Sequence, residues 1–162
     1  MTEVLLTRDP ADRRRNDLPG IGTVQFTSAW GNKAVLSAPG HPEWHLRGRL
    51  MFRDVTHVAD QTGIELGTFT RSKRAIEVGG RTLVVRMPKE SLTSGPKPVE
   101  LLEDERMLAR YAPWAWDGER PVTVTLLDEE FARAEPLMVL LGLYGTLQYA
   151  IMRSAKAATG NA

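Results

Sequence analysis

The pentapeptide HPEWH, residues 41–45, sets His41, Glu43 and His45 at alternate positions. On a strand that spacing points three side chains to one face, and these residue types ligate zinc. It is not the zincin arrangement, which needs a helix and a glutamate beside the first histidine. Gly40 and Pro42 oppose a helix here. With no further ligand nearby, the segment reads as a turn entering a strand with surface histidines, and no metal is expected. His57 stands alone among apolar Val55 and Val58 and reads as structural. Ser28, Ser37, Ser72, Ser91, Ser94 and Ser154 lack a nucleophile-elbow sequence, and the glycines form no phosphate loop. Carboxylates cluster at Glu103, Asp104 and Glu105 and at Asp128, Glu129 and Glu130, but contiguous side chains diverge. A solvated turn or a helix cap explains them better than an acid and base pair. The chain has no cysteine, which removes thiolate chemistry, disulfides and Cys-ligated metals together. The expectation is a protein that is not an enzyme and carries no cofactor.

The residues best suited to binding are Arg71, Lys73 and Arg74, with Ser72 among them, on a link between two strand-like runs. Such a tip can meet phosphate or anionic lipid headgroups, at about 1 kcal/mol per basic residue near an anionic surface. Arg13 to Arg15 could join it, and Trp114 and Trp116 could face a partner or a membrane interface. A charged tip also keeps a barrel soluble. The expected partners are therefore anionic membrane lipid or a protein. Residues 1–98 carry 15 basic and 10 acidic side chains, and residues 99–162 carry 6 and 10, an imbalance too weak for nucleic acid.

The elements that must position these residues follow from length and pattern. A chain of 162 residues, 42% hydrophobic and 25% charged, fits one domain with its own core. Residues 1–20 read as a flexible arm, because Thr7 to Pro19 shows no apolar periodicity. No signal peptide opens the chain, so a cytoplasmic protein, peripheral at the membrane if it binds lipid, is expected. From Ile21 to Asp128 the chain reads as about eleven short strands, Arg49 to Arg53 among them. Leu83 to Val85 are apolar in succession, which predicts a strand covered on both faces. Asp60 and Gly63 fit positions i and i+3 of a type I turn, and Gly79 with Gly80 fits a two-residue primed turn. Two successive hairpins make a meander.

After Glu130 the pattern changes. Residues 131–158 read as one long helix, which Pro136 kinks or truly begins. Residues 136–152 hold no charge and are apolar on every face, so this helix must be buried. The run spans about 26 Å, a little short of the roughly 30 Å of a bilayer core, so a C-terminal membrane anchor is the alternative. The other burial site is a barrel, and a can of about eleven strands accommodates a helix where eight do not. Gly142 and Gly145 would let barrel side chains come close to it. The fold class expected is mainly β: a closed antiparallel barrel of about 11–12 strands around a buried hydrophobic C-terminal helix, with one domain over residues 21–158.

VADQTGIELGTF, the basic link after it, GGRTLVVR and VTVTLLDEE before the last helix resemble, in that order, the tubby-like C-terminal barrel superfamily. That superfamily holds the tubby, phospholipid scramblase and LURP-one-related proteins together with small bacterial members. The resemblance covers about Ile21 to Ala155. It implies a closed barrel of about twelve strands around a hydrophobic C-terminal helix, and phosphoinositide binding through a basic surface. The palmitoylated cysteine cluster of scramblases and their Asp-rich calcium segment have no counterpart here.

Overall fold

A computed structural model describes residues 1–12, 14–29, 31–48, 54–87, 98–112 and 122–159. Thirteen strands alternate with turns: β1 (Thr2–Leu5), β2 (Thr7–Arg8), β3 (Arg15–Leu18), β4 (Gly22–Phe26), β5 (Lys33–Ser37), β6 (Trp44–Gly48) and β7 (Val55–Asp60), then β8 (Glu65–Thr70), β9 (Ala75–Val78), β10 (Arg81–Arg86), β11 (Val99–Glu103), β12 (Arg106–Ala112) and β13 (Thr123–Leu126). Two helices follow, α1 (Glu129–Ala134) and α2 (Pro136–Thr159). All the ladders are antiparallel and run in the order β1-β13-β12-β11-β10-β9-β8-β7-β6-β5-β4-β3-β2. The sheet thus curls into a nearly closed barrel, because its two outermost strands are consecutive in the chain. A single residue, Leu6, separates them, and its amide continues the β1 ladder by donating to the Val122 carbonyl at 2.8 Å.

The hairpins form where local chemistry demands them. Asp60 Oδ1 accepts from the amides of Thr62 and Ile64, and the Gly63 amide donates to the Asp60 carbonyl. These bonds hold the Asp60 carboxyl below the usual carboxylate range, the Thr62 hydroxyl contributing most. Gly79 and Gly80 link β9 to β10 with φ of 62° and 76°, the left-handed pair that a two-residue primed turn requires. The inward residues of the strands, among them Val24, Leu36, Leu46, Phe69, Ile76, Leu83 and Tyr111, form one cluster with Leu140, Leu141, Leu143, Tyr144 and Leu147 of α2. Every residue from Pro136 to Gln148 is buried. Gly142 lies against the Tyr111 ring and Gly145 against Phe69. Among the described residues no helix is long and apolar enough to cross a membrane.

Four readings of the sequence need correction. Residues 1–20 hold β1, β2 and β3, so they do not form an arm. The alternation was hidden because Asn16 fills an inward position, fully buried, donating to the Arg14 and Val24 carbonyls and accepting from Arg8 Nε. The helix predicted over 131–158 is two. Proline at 136 disfavours helical geometry at the residue before it, and Glu135 adopts φ −127°, ψ 60°, so the chain bends there and Pro136 starts α2. The strand through Leu83 to Val85 is covered on one face only, for Val84 is 45% exposed. Ten of the expected strands are present, and three more lie near the start of the chain. The eleventh, Arg49 to Arg53, lies outside the described residues.

Candidate functional site

In an antiparallel meander alternate turns fall at opposite ends of the barrel, and the β8–β9 turn shares its end with the β2–β3, β4–β5 and β6–β7 connections. Thr70 pairs with Ala75, leaving Arg71, Ser72, Lys73 and Arg74 as the turn itself. The Arg74 amide closes it on the Arg71 carbonyl at 3.1 Å. Arg74 sits at φ 53°, in the left-handed region where a position closing such a turn favours glycine or asparagine.

Asp54, which precedes β7, holds the turn in place. Its carboxylate accepts from the Ser72 amide and hydroxyl, both at 2.7 Å, and its carbonyl accepts from the Arg71 amide at 2.8 Å. The two Ser72 bonds, with smaller help from the charges of Arg71 and Lys73, keep the Asp54 carboxyl below its ordinary range. The three cations then differ in role. Arg74 donates to the Met87 carbonyl at 3.2 Å, and both it and Lys73 are exposed. Arg71 is half-buried and its charge acts on Tyr144 of α2.

Tyr144 belongs to a buried polar cluster below the turn. Its hydroxyl donates to the Gly31 carbonyl at 2.7 Å, and Gln148 Nε2 donates to the same carbonyl at 3.1 Å and to the Tyr144 oxygen at 3.0 Å. Burial pushes the phenol up to about 12, against the opposing influences of Thr56, Arg71 and Gln148. The cluster ties the β4–β5 turn to α2.

Two further cations were not read from the sequence. Lys33 and Arg47 are exposed and directly opposite one another on β5 and β6, and among the described residues neither makes an ion pair. Like charges in that position repel. No local signal could have found the pair, because it exists only through the register. Asp54 was missed for the same reason, lying 18 residues from Ser72 in sequence.

The charges separate along the barrel. Among the described residues the basic end holds Arg8, Arg14, Lys33, Arg47, Arg86 and the β8–β9 turn, against Asp9, Asp12, Asp54 and Glu100. The turns at the other end hold Glu43, Asp60, Glu103, Asp104 and Glu105, and the chain from Asp128 to Glu135 adds more carboxylates, against Arg81, Arg106 and Arg133. At that end Arg81 forms a bidentate pair with Glu103, at 2.8 and 2.6 Å, reaches Glu135 at 3.5 Å, and lies 5.1 Å above the Phe131 ring. It thereby joins β10, β11 and the helical hairpin.

Scans against family models, curated proteins and solved structures return no match to this chain. The His41 ring lies tilted against that of Trp44, and His45 lies 3.9 Å from Glu43, which precedes β6, so the three are not in line on one strand. His57 faces solvent and pairs with Glu65. Among the described residues no group of three or more potential ligands is placed to hold a metal ion. An open groove of about 420 Å³ lies beside the β3–β4 and β5–β6 turns, with Asp17 the one titratable group in its lining. Glu103 ends β11 and Asp104 with Glu105 forms the β11–β12 turn, and Asp128 caps α1 by accepting from the Phe131 amide. Arg13, Trp114 and Trp116 lie outside the described residues.

Proposed function

We propose that this chain is a non-enzymatic binding module, a barrel threaded by its C-terminal helix, that takes anionic lipid headgroups at the basic end through Lys73 and Arg74. The observation that carries this reading is Arg74 itself. A non-glycine residue in the left-handed region costs about 1–2 kcal/mol, and such strain tends to persist where a side chain is useful. The separation of charge along the barrel supports it, since an anionic surface would attract one end and repel the other. Kinship with the tubby-like superfamily is part of the proposal and rests on the order of features in the sequence and on the strand and helix arrangement. The C-terminal anchor is the weaker reading, because the apolar faces of α2 from Pro136 to Gln148 are already covered by protein.

Sedimentation with vesicles containing an anionic phospholipid tests it. At about 1 kcal/mol per basic residue, the pair Lys73→Ala and Arg74→Ala should weaken binding about thirtyfold. Its unfolding midpoint should stay near that of the parent, because exposed charges add little to stability. Raised salt should imitate the variant, the attraction decaying over about 8 Å at physiological ionic strength. A parent protein that ignores such vesicles at low salt would end the lipid reading.

A further inference from the structure

Residues 2–8 close the barrel as one strand that changes partner half-way along. Thr2 to Leu5 pair with β13, while Thr7 and Arg8 pair with β3. The alternation is continuous: Thr2 lies opposite Leu126 and Val4 opposite Val124, Leu6 is buried in the core, and Arg8 Nε reaches Asn16 Oδ1 at 3.3 Å. This is the most lightly held part of the sheet. Of the thirteen strands only β1 and β2 contain no buried residue, Leu5 is 52% exposed, and the ladder on β3 is two residues long. Low burial and exposed ladders mark segments that open without global unfolding.

The slot beneath this strand is specific. An occupant needs apolar side chains where Val4 and Leu6 sit, a hydroxyl that reaches Glu129 as Thr2 does, and a donor for Asn16 where Arg8 stands. It also needs free backbone edges for β13 on one side and β3 on the other. Residues 2–8 of a second copy meet every one of these requirements, because they are the same residues.

We infer that residues 2–8 exchange between copies of this chain, each closing the other's barrel. What keeps the strand on its own barrel is the turn after it. Asp9 Oδ1 accepts from the Ala11 amide at 2.9 Å, the Asp12 amide donates to the Asp9 carbonyl at 3.2 Å, and Asp12 Oδ1 accepts from the Arg14 amide at 3.1 Å. Asp12 also accepts from Gln25 Nε2 at 2.9 Å, and exchange must straighten this turn while it keeps the ladders on β13 and β3. The single closed chain is therefore the ground state, and the exchanged dimer grows with concentration and with any loosening of the turn.

The absence of cysteine gives a clean test. Thr7 and Asp17 stand directly opposite one another. A full-length Thr7→Cys chain and a differently tagged full-length Asp17→Cys chain are incubated together at high concentration in a thiol-disulfide buffer. The control is the equivalent mixture of Thr68→Cys and Glu77→Cys, which face each other inside the sheet on β8 and β9. Exchange predicts a mixed disulfide dimer at about ten times the control yield, since opening at the seam is the easier event. Adding Asp12→Ala to both chains should raise it further. Equal yields in the two mixtures, as random collision would give, overturn the inference. Hydrogen exchange of the unaltered chain checks the same opening without a variant. Amides of the β1–β13 and β2–β3 ladders should exchange at least about tenfold faster than those of β6–β7, and equal protection would also overturn it.

Discussion

Replacing Gly142 by alanine sets two effects against each other. Alanine improves helix propensity by up to about 1 kcal/mol. The added methyl, however, would stand 2.4 Å from the Tyr111 hydroxyl oxygen and 2.8 and 2.9 Å from two ring carbons. Tyr111 cannot swing aside cheaply, for it is fully buried on β12 and donates to the Val139 carbonyl at 2.7 Å. Overpacking of this kind costs about 1–3 kcal/mol. A tyrosine pushed off its partner leaves a buried hydroxyl unsatisfied, at about 1–3 kcal/mol more. The net expectation is a loss of about 1–5 kcal/mol, read as a lower urea midpoint with an unchanged slope. Gly145→Ala is the contrast. Its methyl meets the Phe69 Cζ at 3.0 Å, a few tenths of an ångström of crowding that the propensity gain offsets, so stability should move by less than about 1 kcal/mol. Tyr111→Phe in the Gly142→Ala background removes the closest atom, and the double variant should be at least about 1 kcal/mol more stable than the sum of the singles. If Gly142→Ala proves harmless, or Gly145→Ala equally damaging, the packing described between α2 and the strands is wrong.

A fragment ending at Glu130 should be insoluble or unfolded, since it removes Leu140, Leu141, Leu143, Tyr144 and Leu147 from the shared core; a folded monomeric fragment would contradict this. Glu105 stands at φ 66° in the β11–β12 turn, and Glu105→Gly should raise the unfolding midpoint by an amount equivalent to about 1 kcal/mol. The Arg81 guanidinium holds the Glu103 carboxyl below its ordinary range, so the stability this pair supplies is present above the unfolded value and drains as pH falls through the folded one. Glu103→Gln should therefore lower stability at neutral pH and flatten its decline below about pH 5, which denaturation at a series of pH values would reveal.

How legible the fold was depended on how local each determinant is. The turns at Asp60 to Gly63 and Gly79 to Gly80 were readable because the residues that make them are the residues that need them. The close approach of strand side chains to Gly142 and Gly145 followed from two glycines on an otherwise apolar helix. β3 was invisible because a pattern of apolar inward residues cannot register a buried asparagine satisfied by Arg8, Arg14 and Val24. Val84 misled in the opposite sense: an apolar residue facing water leaves the same mark as one facing a second layer. At the basic β8–β9 turn the sequence located the cations but not their division of labour. That division depends on Asp54 and Tyr144, brought in from distant positions.

The order of the sheet has a consequence for synthesis. Every ladder except one joins strands adjacent in sequence, so each hairpin can form as soon as its second strand leaves the ribosome. The exception is β1 with β13, more than a hundred residues apart. The first strand made is thus among the last to find its partner. Until then Thr2 to Leu5 must travel unpaired beside a growing meander whose far edge keeps moving, and closing so long a loop carries the largest entropic cost of any ladder in the sheet.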